Sequence, residues 1–259
     1  MRKKYIFGNW KMNLNIHEAS IFIEKLKRDV KRYEDVEVAI FPGFLALQPL
    51  SLQLHGDSRH IKLGAQNCYW RDEGAFTGEV SASQLRGLTK YVLIGHSERR
   101  NIFREDDRDI RFKVQAALRN GLIPVLCVGE SEFERSEGDT AHVLNDQVAG
   151  GLLNVGSDEI DKVLIAYEPV WAIGSGATAE NRDIEIAMKL IRSQVSHMFG
   201  EKAGEGIPVL YGGSAKLTNA KIVLSVKGVD GLLIGGASLI APEFAGMVDV
   251  AHELNESEK

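Results

Sequence analysis

The chain has 259 residues, a formal net charge of −5 and an apolar fraction of 44%. One α/β barrel can account for this length, and the apolar content can form a core without metal or disulfide support. The acidic balance argues against nucleic acid as the main partner, although a local lysine or a helix N-terminus can hold an anionic ligand. Cys68 and Cys127 lack metal-ligand spacing and do not indicate a secreted disulfide scaffold.

The first residues are basic, as in a signal peptide, but Gly8, Asn9 and Lys11 interrupt the following apolar stretch too early for one. No apolar run approaches the roughly 20 residues needed to cross a bilayer. We therefore expect a soluble protein of the cytoplasm that does not associate with a membrane.

Short apolar runs alternate with longer amphipathic stretches along the chain. In chain order the pattern predicts strand Tyr5–Asn9, helix His17–Arg32, strand Val36–Phe41, a weaker helix Leu45–Leu54, strand Ile61–Gln66, a weaker helix Ser81–Leu88, strand Tyr91–Gly95, helix Asp106–Arg119, strand Ile123–Val128, helix Thr140–Leu153, strand Val163–Tyr167, helix Ala179–Phe199, strand Val209–Tyr211, a weaker helix Lys216–Ser225, strand Gly231–Ile234 and helix Ser238–His252. Continuously apolar strands are typical of a parallel sheet that helices cover.

Eight strand–helix units without residues for a second domain favour a closed (β/α)8 barrel of the α/β class over an open doubly wound sheet. We assign residues 1–254 to a single catalytic domain and expect the polar segment 255–259 to be a frayed tail. Because the active site of such a barrel forms where its strands end, polar residues directly after strands are the candidates.

Three such residues follow the first, fourth and sixth strands. Lys11 can stabilise a phosphate or a developing oxyanion, although a lone lysine is more often solvated. His96 precedes a helical turn whose N-terminus favours a neutral imidazole, but a structural core histidine fits that segment equally well. Burial of Glu168 is expected to raise its pKa, as a general base requires, and the alternative is an ion pair at the barrel rim.

Glycine-rich loops follow three of the strands. Val170–Ile173 is too apolar for an idle surface loop, and with Pro169 before it and Gly174 after it the segment suits a lid that excludes water. Paired glycines follow the last two strands, in Gly212-Gly213-Ser214 and in Gly235-Gly236. Loops at these two positions of a barrel commonly bind phosphate through backbone N–H groups.

From Phe7 to about Leu239 the sequence resembles the triosephosphate isomerase family. The motifs that carry the resemblance are Gly8-Asn9-Trp10-Lys11, Gly95-His96-Ser97-Glu98-Arg99-Arg100, Cys127-Val128-Gly129-Glu130, Tyr167 through Gly176, Tyr211 through Ser214, and Gly231 through Leu239. The resemblance implies an isomerase of glycolysis and gluconeogenesis that interconverts dihydroxyacetone phosphate and glyceraldehyde 3-phosphate through an enediolate. It calls for neither a metal nor a nicotinamide cofactor.

The resemblance also assigns roles to individual residues. It implies that Glu168 is the base, that neutral His96 and Lys11 stabilise the enediolate oxygens, and that Asn9 helps to orient them. Backbone groups of Gly174, Ser214, Gly235 and Gly236 would hold the phosphate, with Asn9 and Lys11 also at the substrate. Glu98 and Cys127 match supporting positions, Tyr211 matches the residue that latches the closed lid, and Trp171 and Glu130 match its contacts in the open state.

The segment from residue 64 to residue 79 resembles the projecting interface loop of the family, with Phe76, Thr77 and Glu79 near its tip. The resemblance implies that this loop enters a pocket beside the active site of a second copy, with Thr77 near the partner copy's catalytic asparagine. An exposed loop with aromatic residues would otherwise be a liability. A homodimer is therefore expected.

Three positions depart from the family pattern: Ala177 replaces the usual lysine of the far lid hinge, Ser175 a common threonine, and Ala215 a usual valine. They bear on lid kinetics and leave the reaction intact.

The alternatives are a metal-dependent epimerase, a Schiff-base aldolase or a non-catalytic phosphate sensor. The epimerase would need strand-end His and Asp ligands that the sequence lacks. The aldolase would need a lysine at the position of Glu168, and a sensor would have lost Lys11, His96 or Glu168.

Overall fold

The computed structural model describes residues 2–55, 60–173 and 179–257. Its strands form one closed barrel in sequence order, and every neighbouring pair is parallel, including β1 with β8. The strands are β1 (Lys4–Asn9), β2 (Val36–Phe41), β3 (Ile61–Ala65), β4 (Tyr91–Ile94), β5 (Ile123–Val128), β6 (Leu164–Tyr167), β7 (Val209–Tyr211) and β8 (Gly231–Ile234). The predicted (β/α)8 barrel is confirmed.

Helices surround the barrel on its outer side. They are α1 (Ile16–Asp29), α2 (Phe44–Gln53), α3 (Ala82–Leu85), α4 (Ser97–Asn101), α5 (Asp107–Arg119), α6 (Glu132–Ser136), α7 (Thr140–Leu152), α8 (Asn181–Phe199), α9 (Glu201–Gly206), α10 (Leu217–Leu224) and α11 (Ala241–Ser257). Short 3-10 helices cover Ile160–Lys162, Val170–Ala172 and Gly236–Leu239. Among the helices of the described residues, none is long and apolar enough to span a bilayer.

The core consists of two layers because successive strand residues point to opposite sides of the sheet. Phe7 of β1 contacts Phe41 of β2 and Tyr91 of β4, with ring centroids 5.5 and 4.7 Å apart. Since β1 and β4 are not neighbours, these rings fill the interior of the barrel. The other layer lies between strands and helices and contains Ile6 and Ile23. Gly64 leaves room for the Phe41 ring, because a Cβ there would lie 2.1 Å from it.

The C-terminal helix extends further than the sequence predicts. The boundary expected after residue 254 falls inside α11, and the expectation of a frayed tail is wrong for Asn255–Ser257. The reason is a contact with a residue distant in sequence: Asn255 is buried, and its Nδ2 donates a 2.8 Å hydrogen bond to Oδ2 of Asp35. Residues 258 and 259 lie outside the described residues.

Asp35 also contacts His252, whose Nδ1 lies 2.9 Å from Oδ1. Burial opposes ionisation of Asp35, but hydrogen bonds from Asn255 and His252 hold its pKa below the ordinary value. A carboxyl whose pKa is lowered on folding stabilises the protein above its unfolded pKa, and this contribution is lost as the pH falls through the folded pKa. The carboxylate therefore attaches α11 to the segment before β2 most strongly at neutral pH.

We expect Asp35→Asn to lower the free energy of unfolding by about 1 kcal/mol at pH 7, after allowance for solvent screening of the partly exposed side chain. The deficit should begin to shrink below about pH 4, where the unfolded Asp becomes protonated, and should disappear only once the pH is below the lowered folded pKa. Urea unfolding of both proteins at pH 7 and pH 3.5 measures this. An equal deficit at both pH values would contradict the role of the charge.

Candidate active site

A cavity of about 280 Å³ opens at the carboxyl ends of the strands. Its lining comes from the ends of strands and the loops after them, at five different strands, because a closed parallel barrel brings all strand ends to one face. The lining residues are Asn9, Lys11, His96, Glu168, Ile173, Gly212, Gly213, Ser214, Ala215, Lys216, Leu233, Gly235, Gly236 and Ala237. The sequence-predicted site residues Asn9, Lys11, His96, Glu168, Ser214, Gly235 and Gly236 are thus brought together, while Gly174 lies outside the described residues.

Glu168 and His96 face each other across the mouth of the barrel. Nε2 of His96 lies 3.0 Å from Oε1 of Glu168, and the Ser97 amide donates a 2.8 Å hydrogen bond to Oε2. Glu168 is only 2% exposed, so both carboxylate oxygens depend on these partners for the solvation that water would otherwise supply.

The position of His96 at the start of α4 sets its tautomer. Its Nδ1 accepts a 3.2 Å hydrogen bond from the Glu98 amide, which is possible only if Nδ1 carries no proton. The hydrogen bonds therefore assign a neutral ring with the proton on Nε2, directed at Glu168. Burial lowers the pKa of His96, while the carboxylates of Glu168 and Glu98 raise it and give a net increase. The hydrogen bond from the Glu98 amide to Nδ1 opposes this increase in pKa and favours the neutral form of His96 that the sequence predicts.

The pKa of Glu168 differs from the sequence-based expectation. Burial alone raises it, but the hydrogen bond from His96, the hydrogen bond from the Ser97 amide and the charge of Lys11 together lower the net pKa. The sequence-based expectation of a raised pKa took account of desolvation alone and not of these partners. In this arrangement the carboxylate is therefore held ionised.

Lys11 adopts a left-handed backbone conformation, with a φ of 52° that non-glycine residues rarely adopt. Two side chains hold it: Oδ1 of Asn9 accepts from the Lys11 amide at 3.0 Å, and Nε2 of Gln66 donates to its carbonyl at 2.8 Å. Its ammonium lies 2.6 Å from Oε1 of Glu98. Sequence analysis missed Gln66, since a glutamine after β3 carries no signal that it contacts the loop after β1.

The loops after β7 and β8 present backbone amides to the cavity. Within the described residues, the N–H groups of Ser214, Gly235 and Gly236 donate no hydrogen bond to a protein acceptor. Gly236 also begins a short 3-10 helix, and free amides at such an end favour an anion. The two loops are thus suited to hold a phosphate.

Two further glycines allow Glu168 to lie where it does. A Cβ on Gly129 would lie 1.7 Å from the Glu168 carbonyl oxygen, and one on Gly212 would lie 3.0 Å from its Cγ.

Cys127 is completely buried in the barrel interior, and burial raises the pKa of its thiol well above the ordinary value. The supporting role expected for Cys127 is therefore one of packing, because the thiolate is strongly disfavoured.

The segment after Glu168 is attached to the loop after β5. Nε1 of Trp171 donates a 3.0 Å hydrogen bond to Oε1 of Glu130, which also accepts from the Tyr167 hydroxyl at 3.1 Å. The Arg135 guanidinium stacks on the Trp171 ring at 4.1 Å and lies 2.9 Å from Asp183 at the start of α8. Trp171 and Glu130 are thus in contact, and they are the pair that the family resemblance implies for the open lid.

The other lid residues are described only in part. Gly174, Ser175, Gly176 and Ala177 lie outside the described residues. The Tyr211 side chain, which the sequence assigns to the lid latch, is buried and folds back over Gly213, where a Cβ would lie 2.2 Å from its hydroxyl oxygen. The second glycine of this pair therefore leaves room for Tyr211.

The predicted interface loop stands on the surface. Phe76 is 38% exposed and packs against Tyr69 with ring centroids 4.6 Å apart, while Thr77 and Glu79 are exposed. Among the residues that the structure describes, no group of three or more His, Cys, Asp or Glu side chains could hold a metal ion.

A closed parallel barrel with a carboxylate, an imidazole, a lysine and two anion-binding loops at one mouth is typical of barrel enzymes that act on phosphorylated compounds. The family model described as triosephosphate isomerase matches residues 4–251. Proteins named triosephosphate isomerase from Clostridium tetani and Trichlorobacter lovleyi are 43% and 42% identical to the chain over 250 and 249 residues. These alignments cover 96% of this chain in both cases and 97% and 98% of the relatives. A third relative of that name, from Natranaerobius thermophilus, is 43% identical over 252 residues and 97% of each chain.

The chain therefore belongs to the triosephosphate isomerase family, and it is an isomerase.

Proposed function

We propose that the protein interconverts dihydroxyacetone phosphate and D-glyceraldehyde 3-phosphate. The observation that carries the proposal is the cavity in which Glu168, His96 and Lys11 face two loops with free amides. A three-carbon phosphate bound with its anionic end at Ser214 and Gly235 would direct its carbonyl and hydroxyl carbons towards the other three side chains. The enzyme would act in glycolysis and gluconeogenesis, and we expect it in the cytoplasm.

In the proposed reaction, Glu168 takes a proton from one carbon and returns it to the neighbouring carbon, while the hydroxyl proton passes from one substrate oxygen to the other. The electrons of the broken C–H bond form an enediolate, whose oxygens receive a hydrogen bond from Nε2–H of His96 and the charge of Lys11. His96 is suited to this role because Nδ1 is already occupied by the Glu98 amide. Asn9 contributes by fixing the Lys11 backbone, and Glu98 by holding its ammonium.

The same contacts imply a change at Glu168 when substrate binds. Its bonds to the Ser97 amide and His96 must be exchanged for a position beside the substrate carbon. Once these partners are lost, desolvation is left as the main influence on the carboxylate and raises its pKa towards that of an effective base. A lid that includes Val170–Ile173 would exclude water and limit loss of phosphate from the enediolate.

The direct test is a coupled isomerase assay on the purified protein with and without a chelator. We expect turnover that the chelator leaves unchanged. Turnover that the chelator abolishes would indicate a metal-dependent isomerisation. Absence of isomerase turnover would contradict the proposal, and phosphate binding without turnover would indicate a sensor.

We also propose that the protein is a homodimer. Met12 and Leu45 are 99% and 82% exposed and line a groove beside the active site, next to Lys11. Monomeric proteins rarely expose such contiguous apolar surface. The projecting loop at Phe76 supplies an aromatic side chain that would fill the corresponding groove of a second copy, with Thr77 reaching the partner copy's catalytic asparagine.

We expect light scattering to give twice the 28.6 kDa chain mass for the natural protein. Phe76→Glu should shift the mass towards the monomer and lower activity, because the groove adjoins Lys11. Leu153→Glu, a change at a 60% exposed residue after α7, is the control and should leave the mass unchanged. A fully active monomer at micromolar concentration would overturn the dimer.

A further inference from the structure

Lys216 lies at the phosphate end of the cavity, and the proposed reaction does not use its charge. It is exposed, lines the same cavity as Ser214 and Gly235, and directly precedes α10. Its backbone is fixed: its amide donates to Oδ1 of Asn219 at 2.8 Å, and Nδ2 of Asn219 donates to the Ser214 carbonyl at 3.0 Å. The loop therefore holds the lysine next to the amides that are suited to bind phosphate.

The charges around the cavity make this lysine significant. Lys11 is compensated by Glu98 at 2.6 Å, and Glu168 adds a negative charge to the lining. A dianionic substrate would therefore enter a site with little net attraction from those groups. Within the described residues Lys216 forms no salt bridge, so its charge is uncompensated there.

We propose that the Lys216 ammonium attracts the substrate phosphate into the cavity and makes the site selective for phosphorylated over neutral trioses. The inference rests on the proposed function and adds a specificity-determining residue to it. The backbone amides would fix the geometry of the phosphate, while the flexible lysine supplies long-range attraction and charge balance.

The test compares Lys216→Gln with Lys221→Gln, which removes the same charge from the exposed side of α10 away from the cavity. At low ionic strength Lys216→Gln should lower kcat/KM for glyceraldehyde 3-phosphate by about threefold, mainly through KM, the size typical of one partly solvated charge. The loss should vanish in about 0.5 M salt because screening removes the attraction. Lys216→Arg should restore kcat/KM, and Lys221→Gln should match the natural protein.

The ratio of kcat/KM for glyceraldehyde 3-phosphate to that for unphosphorylated glyceraldehyde should also fall about threefold in Lys216→Gln. A loss that persists in high salt, or that affects both trioses equally, would indicate a structural role and overturn the inference. Equality with Lys221→Gln would overturn it as well.

Inorganic phosphate provides a separate readout. Its binding, followed by 31P NMR, should weaken in Lys216→Gln about as much as kcat/KM falls, and unchanged phosphate binding would contradict the inference. Failure of the proposed function is distinguishable, because it would appear as absent isomerase turnover in the natural protein while the phosphate comparison could still be made.

Discussion

Glu168→Gln is expected to lower kcat for triose phosphate isomerisation by roughly 10²–10⁴-fold, the contribution of a placed general base. The amide has nearly the shape of the carboxylate, and its oxygen can still accept from the Ser97 amide, which now donates to Glu168 at 2.8 Å. It cannot accept a proton from carbon. The change therefore separates the chemistry from the packing of the fully enclosed side chain.

The measurement is the coupled assay under substrate saturation, together with circular dichroism and thermal unfolding to establish that the fold is retained. Glu132→Gln, at an exposed position in α6, provides a control for loss of one carboxylate elsewhere on the same face. Near-normal turnover by Glu168→Gln would rule out the role of Glu168 as base. Because Gln leaves no buried charge unpaired, a collapse of stability is not expected to obscure the result.

Much of the fold could be predicted because the strands of a closed parallel barrel are buried on both sides. Their apolar runs end abruptly at polar or glycine residues, so predicted and observed strand bounds agree within one residue, as in Val163–Tyr167 against Leu164–Tyr167. Helical segments with a weak local pattern, or with an end that depends on a distant contact, were harder to predict. The helix α9 follows Gly200 and contains two glycines of its own, which oppose a helix prediction. The end of α11 depends on the contact of Asn255 with Asp35, 220 residues away.

The site shows the same division between local pattern and distant contact. Strand ends predicted which residues would meet, since topology alone brings His96 and Glu168 to one face. Their actual contact, with Nε2 3.0 Å from Oε1, could not be read from residues that lie 72 positions apart, and neither could the resulting decrease in the pKa of Glu168. Burial of a carboxylate can be inferred from the apolar residues around it in the sequence. The partners that offset its desolvation can be identified only from the structure. Gln66 was missed for the same reason, because its two acceptors belong to Lys11 and Phe41.

The second large loss of activity is expected from a substitution at Gly129, where two backbones approach closely behind Glu168. A Cβ on Gly129 would lie 1.7 Å from the carbonyl oxygen of Glu168 and 2.6 Å from its carbonyl carbon. Neither atom can yield by a side-chain rotation, so Gly129→Ala must displace the end of β6 relative to β5. The strands are joined there by the hydrogen bond from the Glu168 amide to the Val128 carbonyl, at 2.8 Å.

We expect Gly129→Ala to lower kcat by about 100-fold, because a displacement of about 1 Å can cost that much in a reaction that depends on alignment. Thermal unfolding should show a lower Tm, and the residual activity should be measured well below it so that misplacement is separated from unfolding. Gly206→Ala is the matched control, since no atom lies within 4 Å of a Cβ at that position. If Gly129→Ala kept normal kcat, the position of the Glu168 backbone would not limit the reaction. A loss of kcat in folded protein would indicate that the position of the base depends on the glycine in the loop after the neighbouring strand.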